Sequence, residues 1–249
     1  MTVNTVCWTV LSLLLCAALW ATQASTPPSQ PIRVATEHWP GYTSADGQGA
    51  YFELLKIVLE PTAPLHVQLM PFQRSIAAVE RQQADVVFAV TAKDSSLLLR
   101  STQPIDTDRI IAVYRSDGPV KLPLNQPDLN KFRLSWRIGY NYGKVLGLTT
   151  SGYETVSAEQ GVQLVKNHRL DVFLSEEGDL NTPAIQALLK QQMTQYPIAV
   201  EPIFFGFAPS ERGRALKQHW DKAWQQRQHQ PALQDFYRRY PGMRVPVAQ

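Results

Sequence analysis

Trp39 stands in the stretch EHWPGY, residues 37–42, directly after the strand-like run Ile32–Thr36. An aromatic ring in a Pro/Gly loop past a strand's carboxyl end has little core of its own to bury it. In open α/β sheets, ligand sites form outside those strand ends. Groups able to do chemistry flank or join this ring. Glu37 and His38 are titratable, and Glu176 ends the apolar run LDVFLSE, residues 170–176. Three such groups in one cleft would serve general acid–base chemistry. A strand-end carboxylate also suits an ammonium group, held by charge-assisted hydrogen bonds, or is simply a solvated charge beside Glu177 and Asp179. Arg74, in PFQR, offers a guanidinium either to an anion or to a surface ion pair. Phe72 in the same motif would by itself staple its helix to a sheet. His38, His66, His168, His219 and His229 show no metal-ligand spacing, and no nucleophile elbow, phosphate loop or dinucleotide fingerprint occurs. No metal and no cofactor are expected.

Composition narrows the classes further. The first 24 residues contain the apolar run CWTVLSLLLCAALWA and then TQA, with small residues at Thr22 and Ala24. That pattern predicts a secretory signal peptide cleaved before Ser25, and hence a periplasmic protein. Its n-region has no Lys or Arg, and the alternative is a retained membrane anchor. Both cysteines, Cys7 and Cys16, fall in this segment, so the mature chain has no disulfide and no thiolate metal site. About 225 residues remain of 249, enough for one large domain or two small lobes. The formal charge of +3 is spread along the chain without a run of five like charges, which gives nucleic-acid binding no support.

The elements that must position these groups are legible as alternating patterns. Tyr51, Leu54, Leu55, Val58 and Leu59 follow the apolar stripe of a helix packed on one face. HVQLM (66–70) reads as a strand, Phe72, Ile76 and Val79 mark a second helix, and DVVFAV (85–90) reads as a buried parallel strand. DRIIAVYR (108–115) gives another strand, and the Pro/Asn-rich stretch 116–130 then marks a boundary. A second strand–helix run opens at LSWRIGYN (134–141), and Ser157 with Gln160 forms a capping box before the next helix. RQQADVVFAV in the first half is matched by NHRLDVFLSE in the second: helix, polar turn, Asp, apolar strand. Leu216, Trp220, Ala223 and Trp224 stripe a C-terminal helix, and Pro231 opens the last one. Such alternation predicts α/β architecture with mostly parallel sheets.

In this order, EHWPGY, PFQRSIAAVERQQADVVFAV, RIGYNYGK, LDVFLSE and PIFFGFAPSERG resemble a class II periplasmic solute-binding protein of the amino-acid-type family. The resemblance spans residues 31–240 and rests on segment order, not on one diagnostic motif. It implies a two-lobed fold: lobe 1 from 31–112 plus 205–249 and lobe 2 from 113–204, with crossings near 110–116 and 202–208. The ligand would lie in the cleft, and the lobes would close around it by a hinge motion. Trp39 and Phe72 would sandwich the ligand, and Glu176 would hold an ammonium group. Gly143 and Lys144 would form a glycine turn for an anion. Glu37, Tyr42, Arg74, Thr91 and Tyr142 complete the ligand-binding set. One departure stands out. The family's carboxylate-clamping arginine would fall on Ser95 to Leu97 here, and Arg100 is out of register. The resemblance therefore does not carry over to an ordinary α-amino acid. It implies a monomeric, non-enzymatic receptor that delivers a small polar or amphiphilic solute to an ABC-type inner-membrane transporter. The alternatives are a sensory receptor for a membrane signalling protein and a dehydratase-like enzyme on the same fold.

Overall fold

The structure, a computed structural model, describes residues 30–60 and 64–244. The expected signal peptide and both cysteines lie outside the described residues.

Strand β1 (Ile32–Thr36) pairs in parallel with β2 (Leu65–Leu69) and with β3 (Val86–Val90). Side chains on a strand alternate between faces, and the two cores show it. Val34 and Val86 enter one core with Phe52, Leu55, Phe205 and Trp220, whereas Ala35 and Val87 enter another with Phe72, Ile76 and Val79. Helix α1 (Ala50–Leu59) supplies the first core through the predicted stripe, and α2 (Phe72–Glu80) supplies the second. The sheet is thus covered on both faces, which is why β1 and β3 read as nearly continuous apolar runs.

A short β4 (Leu99–Arg100) precedes β5 (Asp106–Arg115). After a 3-10 turn at Gln126–Lys131, the parallel pattern restarts with β6 (Leu134–Arg137), α3 (Tyr142–Val145), β7 (Tyr153–Thr155), α4 (Ala158–Lys166) and β8 (Val172–Glu176). β6 pairs in parallel with both β7 and β8. Ser157 caps α4 by accepting from the Gln160 amide, and the Gln160 side chain accepts in return from Val156 N–H, one residue before the cap. Helix α5 (Pro183–Leu189) leads into β9 (Met193–Phe207), and α6 (Glu211–Arg227) and α7 (Pro231–Arg239) close the chain on the α1 face.

The repeat visible in the sequence is one structural device used twice. The Asp85 carboxylate accepts from Arg33 N–H at 2.9 Å and from its guanidinium at 2.7 Å. Asp171 does the same for Arg133, at 2.8 and 2.7 Å. In each half the same guanidinium nitrogen also donates to the carbonyl of a turn residue in the left-handed region, Gln82 or His168. Each pair ties the start of a strand to the turn that feeds its parallel neighbour.

The strands run in the order β2-β1-β3-β9-β5-β8-β6-β7, with β4 also on β9. The two halves are therefore joined in one hydrogen-bonded path. The reason is β9, whose 15 residues pair with β5 through its first part and with β3 through its last. The cores nevertheless change along these strands. Ile105 and Ile203 pack in the first core, while Ile110 and Ala199 pack in a separate one with Leu134, Trp136 and Leu174. Between them the β5–β9 register slips at Ile110/Ile111, with Pro197 opposite Ile111. Proline donates no ladder bond, so a bulge is where a sheet tolerates it.

Candidate functional site

Where the two halves meet, a cavity of about 360 Å³ opens, lined from the first half by Trp39, Tyr42, Tyr51, Phe72 and Ala89, and from the second by Tyr140 and Glu176. Asp108 on β5 and Arg244 past α7 complete the wall. A smaller recess of about 30 Å³ continues inward past Thr91, Tyr142 and Glu201. These volumes suit a small molecule, at the lower end of what ligand clefts usually hold.

The loop after β1 is built to hold Trp39 in this wall. The Thr43 hydroxyl accepts from Trp39 N–H at 2.9 Å and donates to the Glu37 carbonyl at 2.6 Å. Gly49, at φ +111°, lets the loop pack on the start of α1, because a Cβ there would sit 2.4 Å from the Tyr42 carbonyl. Trp39 then meets Phe72 edge to face at 5.6 Å, and its indole N–H donates to the Tyr140 hydroxyl at 3.2 Å. Ala89, in the left-handed region at φ 59°, sits where the β3 ladder slips and turns the strand end into the cavity.

Arg137, at the end of β6, organises the polar rim. It donates to Tyr140 at 2.9 Å, to Asp179 at 2.8 Å and to Glu37 at 2.9 Å, and it stacks over the Tyr140 ring at 4.7 Å. Burial opposes its charge, but Tyr140, Asp179 and Glu37 outweigh that and raise its pKa. Glu37's other carboxylate oxygen accepts from Phe72 N–H at 3.0 Å. At the far rim, Arg109 and Arg244 both pair with Glu177.

The floor is acidic. Glu176 and Asp108 share a hydrogen bond, and neither is in an ion pair among the described residues. Burial pushes both upward: Glu176 lies well above the usual carboxylate range, further raised by Asp108 and Asp179, and Asp108 is pushed up to about 6. Two carboxylates at hydrogen-bond distance cannot both stay ionised, so the pair shares a proton. Burial and the nearby Asp108 raise Asp106 to about 7. Tyr42 is pushed up to about 12 by burial and by this acidic surround, so it stays a neutral phenol. At the inner recess the buried Tyr142 hydroxyl has no hydrogen-bond partner among the described residues. Around the cavity Glu37, Asp106, Asp108, Glu176, Glu177 and Asp179 face Arg109, Arg137 and Arg244. Carboxylates outnumber guanidiniums two to one.

Of the residues singled out in the sequence, Trp39, Tyr42, Phe72 and Glu176 line the cavity, and Thr91 and Tyr142 line its inner recess. Glu37 lies in an adjoining groove with Phe72 and Arg137. Arg74 is exposed and lines none of these cavities. Gly143 and Lys144 border a different, open depression beside Trp136 and Tyr153. His38 is exposed, with its ring against the Thr43 carbonyl at 2.9 Å. Asp108, Arg137 and Tyr140 were missed by sequence reasoning. The signal for Asp108 was present, since DTDR places two acids at alternate positions leading into a buried strand.

The sequence matches no family model and no curated protein sequence. Solved structures do match. A substrate-binding protein of an ABC uptake transporter from Streptococcus pneumoniae, with bound histidine, is 12% identical at a TM-score of 0.67, covering 88% of this chain and 95% of that one. A histidine kinase sensor domain similar to periplasmic binding proteins is 13% identical at 0.66, covering 87% and 98%. An ancestral amino-acid-binding protein, a precursor of cyclohexadienyl dehydratase, is 16% identical at 0.59, covering 85% and 94%. At such identities the likeness speaks to architecture, and it agrees with the resemblance read from segment order: this chain has the two-lobed α/β fold of the periplasmic binding proteins.

Proposed function

We propose that this protein is a periplasmic solute-binding protein that captures a small molecule bearing a cationic group in the cleft between two lobes. The observation that carries this reading is the Asp108–Glu176 pair on the floor of an aromatic-walled cavity, in no ion pair among the described residues. A cation would replace the shared proton, and Trp39, Phe72 and Tyr140 would flank it with ring faces. The lobes in this reading are 31–112 plus 205–249 and 113–204. The change of core along β5 and β9, with the bulge at Ile110/Ile111, supports hinges on these strands. Residues 1–24 serve as signal peptide, the mature protein is a monomer, and an ABC-type transporter receives the solute. The likeness to a histidine kinase sensor domain supports a second reading, in which a membrane signalling protein reads the same capture event. A catalytic reading has less support, because of Glu37, His38 and Glu176 only the last lines the cavity.

A thermal-shift screen of amines, amino acids, sugars and organic acids against the mature protein tests the proposal. Cation-bearing solutes should raise the melting temperature of the wild type and fail to do so for Glu176→Gln. A response confined to sugars or organic acids would sink it.

A further inference from the structure

Arg137 and Glu37 bear on which cation the cleft takes. A ligand carboxylate is normally gripped by an arginine fork, so its fate depends on what the cleft's guanidiniums already hold. Arg137 is shared among Glu37, Asp179 and the Tyr140 hydroxyl, all within 2.9 Å. Glu37 is fixed at both oxygens, by Arg137 and by Phe72 N–H at 3.0 Å. Arg109 and Arg244 converge on Glu177, and Arg244 also donates to the Thr107 carbonyl at 3.3 Å. Each guanidinium at the cavity thus already has a carboxylate of the protein itself. Among the described residues the Asp108–Glu176 pair of the floor has no such partner.

We propose that the cleft selects an amine or guanidine lacking a free carboxylate, with Glu37 and Asp179 each holding one of the two Arg137 nitrogens that a ligand carboxylate would need. This rests on the cation reading above and narrows it. A carboxylate entering here meets an excess of like charge and, to take the Arg137 fork, must displace Asp179 and Glu37, the second of which strands the Phe72 N–H. Its amine counterpart meets the Asp108–Glu176 pair and the ring faces and disturbs neither bond. The orphaned Tyr142 hydroxyl in the inner recess supplies a further polar contact of either sense, donor or acceptor.

The test is calorimetry on matched pairs: agmatine against arginine, cadaverine against lysine, tyramine against tyrosine, and histamine against histidine. In at least one pair the amine should bind at least about tenfold more tightly than its carboxylated parent, a difference of about 1.4 kcal/mol. Glu37→Gln keeps an acceptor for Phe72 N–H while weakening the hold on Arg137. It should narrow that gap by tightening the parent. Parents that bind as well as their amines in every pair that binds overturn the selectivity and leave the cation reading standing. Selectivity that survives Glu37→Gln unchanged overturns the role assigned to Glu37. Binding by none of the eight compounds overturns both readings together.

Discussion

Arg137, at the end of β6, donates to Glu37, at the exit of β1, across 2.9 Å and 100 positions of chain. Together with the Gln73 amide on the Gly139 carbonyl at 2.6 Å and the Trp39 indole on Tyr140, it ties the first half of the molecule to the second over the cavity. The Arg137 and Glu37 side chains are only 21% and 22% exposed, so the pair sits between the surface and buried regimes.

Replacing Arg137 by Leu should therefore destabilise the protein by about 1–3 kcal/mol, less than a fully buried pair would lose. The loss comes from stranding Glu37 and Asp179 in a half-buried rim. Urea denaturation of Arg137→Leu, Glu37→Gln and the double variant would measure the coupling. An additive double variant would show that the bridge does not hold the two halves together.

The aromatic wall should matter to binding more than to folding. Trp39 is only partly buried, so Trp39→Ala should weaken a cavity ligand by about ten- to hundredfold, or about 1–3 kcal/mol. Phe72→Ala should cost binding as well, and also stability, because Phe72 packs with Ile76 and Val79 in a core. Calorimetry together with thermal melts separates the two effects. Unaltered affinity in both variants would remove the ligand from this cavity.

Asp106 gives the free protein an unusual pH dependence. Its carboxyl is 2% exposed and raised to about 7 by burial and by Asp108. Between the unfolded value near 4 and about 7 the folded state holds the proton that the unfolded chain releases. Stability should therefore fall as pH rises through that window and level off above it. Asp106→Asn keeps an acceptor for Arg244 N–H and Thr107 N–H, and should make the slope shallower, leaving the share that comes from Asp108 and Glu176. Melting temperatures of both proteins from pH 5 to pH 8 would check this, and parallel curves would refute it.

The repeated arginine–aspartate device predicts unequal effects. Asp85 is 1% exposed and is shared by Arg33 and Arg212, whereas the Asp171 side chain is 14% exposed beside Arg133 alone. Asp85→Ala should cost about 3–5 kcal/mol and Asp171→Ala about 1–2 kcal/mol. Burial works against ionisation of Asp85, but Arg33 outweighs it and lowers the pKa. Its contribution is present above the unfolded value and is lost as pH falls through the lowered one. Denaturant midpoints at neutral and acid pH would show both the ranking and the sign.

Local patterns carried much of this architecture. The stripe Tyr51–Leu59, the Ser157–Gln160 cap and the matched turn–Asp–strand runs at Asp85 and Asp171 are short-range features, and each appears in the structure, whereas the arginines those aspartates pair with lie 52 and 38 positions away. The site was less legible. Trp39 stood out because an aromatic in a Pro/Gly loop lacks a local purpose, and Phe72 and Glu176 stood out through the resemblance of their segments. Arg74 stood out through the resemblance too, yet the turn of α2 that buries Phe72 leaves Arg74 on the solvent side.

From its sequence alone this chain determined its alternation of strands and helices, the faces those elements bury and the strand-end position of Trp39 and Glu176. Those properties follow from periodicity and backbone preference within about twenty residues. What only the tertiary structure decided is which charges meet. Glu37 and Arg137, Asp108 and Glu176, and Arg244 and Glu177 lie 67 to 100 positions apart, or 68 for the acid pair, and nothing in their own segments specifies a partner. Their pairing depends on where β5 and β9 carry the chain across, and Coulomb energies a few ångströms long are set by that placement rather than by residue type.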